Sequence, residues 1–74
     1  MNNNREKFVD LANKRVNRTL KCIKLIGNLS NRSNYQYTEQ DVEKIFDALQ
    51  GELKVCRNRF RNHGKENEKE FSLE

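Results

Sequence analysis

The longest regular pattern in the chain runs from Val42 to Phe60. Val42, Phe46, Leu49, Leu53, Cys56 and Phe60 recur at alternating steps of four and three, with Ile45 beside the first pair. This is the spacing of one helix face, and the strict alternation of a half-buried strand is absent. Such a rhythm marks a seam that meets another helix nearly parallel to itself. A start signal precedes it. Thr38 is an N-cap candidate whose hydroxyl can take a free backbone N–H. Glu39 and Asp41 put negative charge against the positive end of the helix dipole. Tyr37 before the cap and Val42 inside the helix fit a hydrophobic staple. Asp41 stands where a capping box carries Glu or Gln, so a cap and a staple are expected without the box. The predicted helix covers residues 38–61. Gly51 falls within it and costs about 1 kcal/mol against alanine. It reads as a tolerated glycine, the alternative being a close approach by a partner backbone.

An earlier stretch repeats the rhythm. Ala12, Val16, Thr19, Ile23 and Ile26 follow the same steps, Phe8 and Val9 extend them upstream, and Leu11, Leu20, Cys22 and Leu25 lie beside them. The spacing predicts a helix over residues 5–26. At 100° per residue its apolar arc is roughly 200° wide, about twice what one neighbouring helix covers. A helix of this kind wants more than one partner. Gly27 reads as a left-handed C-cap residue, and Lys21 and Lys24 suit the negative end of the dipole.

Residues 27–37 connect the two helices, and their Asn and Ser content favours local side-chain-to-backbone turns. Eleven residues is long for such a link. Leu29, Tyr35 and Tyr37 give it apolar anchors, so an ordered loop is expected. Residues 1–4 and the charged stretch 62–72 carry no apolar period and read as disordered. Leu73-Glu74 reads as a cloning scar.

Composition changes this picture in one respect. A single domain of 74 residues has a thin core, and chains of this size without a disulfide or metal usually need a larger one. The fold expected is therefore all-α: an antiparallel two-helix hairpin with an eleven-residue connecting loop, paired into a homodimeric four-helix bundle. Leu11, Val16, Leu20, Ile23 and Ile26 of the first helix form its core and dimer seam with Val42, Phe46, Leu49, Leu53 and Phe60 of the second. The absence of proline suits uninterrupted helices. No apolar run reaches the ~20 residues of a membrane span, and no signal-peptide core follows the polar N-terminus, so a cytoplasmic protein is expected. The sequons at Asn17, Asn28 and Asn31 then have no use.

In an antiparallel hairpin with Ile26 near Val42, Cys22 and Cys56 sit roughly 15 Å apart along the axis. A disulfide needs α-carbons within about 7 Å, so no intrachain bridge is expected. Both cysteines read as small buried apolar residues of a reducing compartment.

Candidate chemistry is sparse. With one histidine, two cysteines, no Gly-rich phosphate loop and no metal-ligand spacing, the chain offers little to catalysis, cofactor, metal or small-molecule substrate. A non-enzymatic interaction or regulatory module is the reading, with an unknown protein as further partner. The alternative rests on the net charge of +4. Lys14, Arg18 and Lys21 form a basic stripe on the first helix, but an antiparallel hairpin sets it beside the acidic Glu39, Asp41, Glu43 and Asp47. The opposite end keeps an excess: Arg5, Lys7, Arg57, Arg59 and Arg61 would converge there, against only Glu6 and Asp10. These five could contact DNA, RNA or an acidic partner, with Arg32 and Tyr35 of the loop adding phosphate and stacking contacts.

Overall fold

The computed structural model of the chain describes residues 3–64. Among them every regular element is helical. Helix α1 spans Asn3–Gly27, a short 3₁₀ turn follows over Asn28–Ser30, and helix α2 spans Glu39–Arg61. The chain divides into two units, Met1–Gln36 and Tyr37–Glu74, each built on one helix.

In the first unit, α1 begins two residues before the expected start. Asn3 and Asn4, expected to be disordered, lie in its first turn. Asn is tolerated there because its side chain can serve the free N–H groups of a helix start. Arg5 lies over the Phe8 ring, 6.0 Å from its centroid. One turn on, Lys14 pairs with Asp10 at 3.3 Å across an i,i+4 step. Pairs this exposed contribute about 0.3–0.5 kcal/mol each. The Thr19 hydroxyl donates to the Arg15 carbonyl at 2.8 Å, which lets a polar residue occupy an apolar seam with its hydroxyl satisfied.

The C-terminal end of α1 departs from expectation. Gly27 has φ −60° and ψ −30°, the right-handed helical region, so it is not a left-handed cap. The helix instead tightens into the 3₁₀ turn, one of the ways a helix end satisfies its last carbonyls. The irregular connection therefore shrinks from eleven residues to the eight of 31–38. Asn31 organises it. Its carbonyl accepts from the N–H groups of Asn34 and Tyr35, both at 3.0 Å. Its side-chain Oδ1 accepts from the Ser33 N–H at 3.0 Å and the Ser33 hydroxyl at 2.6 Å. This is an Asx-type turn, in which the side chain substitutes for a backbone acceptor.

In the second unit, α2 opens on a complete capping box. Thr38 Oγ1 accepts from the Asp41 N–H at 3.1 Å, and Asp41 Oδ2 accepts from the Thr38 N–H at 2.9 Å. The shorter Asp closes the box that the sequence pattern reserves for Glu or Gln. Tyr37 and Val42, the two staple positions, are both half-buried. The other end of α2 is equally defined. The Gly64 N–H donates to the Arg59 carbonyl at 2.7 Å, and the His63 N–H to that of Phe60 at 3.1 Å. These are the two bonds of a Schellman motif. His63 takes the left-handed position at φ 57°, and Gly64 follows at φ 91°. The first three residues expected to belong to a disordered tail thus form an ordered cap. The rest of that stretch, 65–72, and residues 73–74, expected to be a cloning scar, lie outside the described residues, as do residues 1–2.

No described residue is fully buried. On α1 only Ala12 and Ile26 are half-buried; on α2 it is Val42, Leu49 and Asn58. The two cysteines, expected to be small buried apolar residues, are free and exposed in the single chain. The reason is geometric: a helix about 10–12 Å across has no interior of its own.

Two substitutions test this account of α2. Thr38→Ala removes the cap and is expected to destabilise the helix by about 1 kcal/mol, read as a lower melting midpoint by circular dichroism. Gly51 lies about 180° around the helix from the seam centre, and a Cβ added there meets nothing within 4 Å. Gly51→Ala should therefore raise the same midpoint, by an amount near the ~1 kcal/mol propensity difference.

Candidate interaction surfaces

The apolar stripes are the largest chemical feature of both helices. On α1, Leu11, Val16, Leu20 and Ile23 are exposed and Ile26 is half-buried. On α2, Phe46, Leu53 and Phe60 are exposed, the last two by 63% and 66%, while Val42 and Leu49 are half-buried. The α2 seam with Ile45 occupies an arc of roughly 100°, against roughly 200° for α1. Beside that seam, Glu52, Val55, Cys56, Arg59, Phe60 and His63 line an open depression along the last turns of α2. Val55 had no place in the seam pattern because it lies off the apolar face; its 46% exposure puts it on this flank.

Charge is segregated along α2. Its first half, up to Gln50, carries Glu39, Asp41, Glu43 and Asp47 against Lys44 alone. The half after Gly51 carries Lys54, Arg57, Arg59 and Arg61 against Glu52 alone. The halves are thus −3 and +3, and the helix is neutral as a whole. Each sign also sits at the dipole end that favours it, with Glu39 and Asp41 in the first turn and Arg59 and Arg61 in the last. The second half of α1 differs, holding Lys14, Arg15, Arg18, Lys21 and Lys24 with no carboxylate.

The five cations expected at one end fall in two groups. Arg5 and Lys7 belong to the first turns of α1, where Arg5 is engaged with Phe8. Arg57, Arg59 and Arg61 belong to the end of α2. Arg57 and Arg61 share one flank at an i,i+4 step, and Arg59 lies on the other. Tyr35 is exposed next to the Asn31 turn and gives its N–H to it. Arg32 lies within that turn and is also engaged. Asn31, which builds this geometry, had no distinguishing signal among the many Asn and Ser residues of the loop.

Among the described residues, no group of three His, Cys, Asp or Glu side chains is placed to hold a metal ion. No described helix is long and apolar enough to cross a membrane. No protein-family model, curated protein or solved structure matches this chain.

Proposed function

We propose that this protein is a small non-enzymatic interaction module that works through self-association. The observation that carries the proposal is the absence of any buried apolar side chain among the described residues, although both helices line such residues along one face. Each large apolar side chain moved from water into a packed interior contributes about 1.5–3 kcal/mol. Helices of this length gain little from propensity alone, so most of their stability has to come from covering these stripes. An antiparallel hairpin covers part of the wide α1 arc. Pairing two hairpins into a four-helix bundle covers the rest, and a further protein can use the same face in place of the second copy. Free thiols at Cys22 and Cys56 suit a reducing compartment such as the cytoplasm.

A second reading has its own support. The second halves of both helices are strongly basic, and a cationic surface of this kind favours polyanions through counterion release. Under that reading the protein is a small nucleic-acid-binding protein, using the cations of α1 and the Arg57–Arg61 flank.

Size exclusion with light scattering separates the two readings, run at low and high salt with and without a mixed RNA and DNA pool. A dimer indifferent to nucleic acid is expected. A salt-sensitive shift with nucleic acid would favour the second reading. Leu49→Asp places an unpaired charge in the α2 seam and is expected to shift the dimer to monomer, with loss of helicity by circular dichroism. A variant that stayed dimeric would remove the seam from the interface.

A further inference from the structure

The α2 seam has a symmetry that bears on how it is covered. Its six positions are spaced symmetrically about Gly51. Reversing the helix exchanges Val42 with Phe60, Phe46 with Cys56, and Leu49 with Leu53. Two of the exchanges set a small side chain against a phenylalanine, and the third sets leucine against leucine. Facing layers of this composition fill space evenly, as close packing of an interior requires. The same reversal exchanges the −3 half of the helix with the +3 half.

We infer that α2 packs antiparallel on α2 of a second copy, with the two-fold axis passing at the level of Gly51. This rests on the self-association reading and names its partner surface and register: the α2 seam, wide enough for one neighbour, goes to the second copy in place of a hairpin contact with α1. Charge complementarity selects the orientation. Antiparallel pairing sets each acidic half along a basic half and opposes the two helix dipoles. Parallel pairing would set −3 beside −3 and +3 beside +3, and would stack Phe60 on Phe60. Helix α1 is unsuited to the same arrangement, because its cations crowd one half with no acidic half to receive them. A two-fold axis also keeps each flank of the seam on its own side. Glu43 then approaches Arg57 of the second copy, twice over, and the aliphatic stem of Arg59 covers Ile45. Gln50 and Glu52 each meet their own copies near the axis, and the Glu52 pair is the unfavourable contact of this register. Gly51 lies on the outer face, clear of the interface.

Cysteine chemistry tests the register. In a Cys22→Ser, Phe46→Cys chain the thiols present are those at positions 46 and 56. Within one helix these are roughly 15 Å apart, twice the reach of a disulfide, so a bridge between them must join two copies. Mild oxidation followed by a non-reducing gel and peptide mapping is expected to give a covalent dimer linked between 46 and 56. Bridges of 46 to 46 or 56 to 56, or no bridge in a chain that scatters as a dimer, would overturn the register while leaving self-association standing. A wild-type chain that scatters as a monomer would overturn both.

Should loss of the phenylalanine unfold the chain, the flanks give a second test in an intact seam. Glu43→Arg and Arg57→Glu, made singly, are each expected to raise the dimer Kd about tenfold, since two attractive pairs become repulsive. Together they should return it to near the wild-type value. Single variants that weaken the dimer without recovery in the double would overturn the register.

Discussion

Everything in this protein follows from a cost that neither helix can avoid alone. An α-helix satisfies its own backbone hydrogen bonds but has no interior, so an apolar stripe along it stays in water until another surface covers it. The helices are long, at 25 residues for α1 and 23 for α2, and none of their described side chains is fully buried. Covering them is the dominant free-energy term open to the chain. If a second copy does the covering, folding and association become one equilibrium, and stability depends on protein concentration.

The ends of the helices obey a different chemistry, local and hydrogen-bonded. The reciprocal bonds of Thr38 and Asp41 fix where α2 starts, and the Schellman bonds to Arg59 and Phe60 fix where it stops. Asn31 does comparable work in the connection, gathering four donors on one residue. These contacts are exposed and individually worth about 1 kcal/mol. Their role is to set helix length and phase, which decides whether the six α2 seam positions stay in register from Val42 to Phe60. A left-handed His63 is tolerated because histidine is among the residues that visit this region more readily, and because the two cap bonds hold it there.

The pattern of apolar residues was enough to locate both helices, since period is a property of many positions at once and survives local exceptions. Single-residue signals fared less evenly. Gly27 looked like a left-handed cap because glycine commonly fills that role, yet glycine equally accepts the right-handed conformation found there. Asp41 looked too short for a capping box, but at N3 its carboxylate reaches the Thr38 N–H. Helix α1 starts earlier than its apolar period predicts because Asn3 and Asn4 carry no apolar period, and a first turn needs none. The exposure of the cysteines in the single chain has a different reason. Position on a seam states which way a side chain faces, whereas burial depends on what lies opposite, and that partner is not encoded in the period. The Arg57, Arg59 and Arg61 group was legible as an excess of charge, but its division between two flanks follows from helical phase.

The segregated charges of α2 tie the two functional readings into competition. An apolar seam supplies most of the affinity and only part of the direction, through which side chains face its phenylalanines. Orientation comes mainly from the flanks, where opposite charges add little stability but like charges repel. The cations that would select an antiparallel partner are the same ones that could hold a phosphate backbone. Arg57 engaged with a carboxylate across an interface is less available to a polyanion, and a polyanion bound there removes the attraction that orients the pair. Salt weakens both contacts through the same screening but leaves the seam intact. High ionic strength would therefore relax the choice of orientation before it dissolved the pairing, so whatever confers specificity on this protein is more fragile than what confers its cohesion.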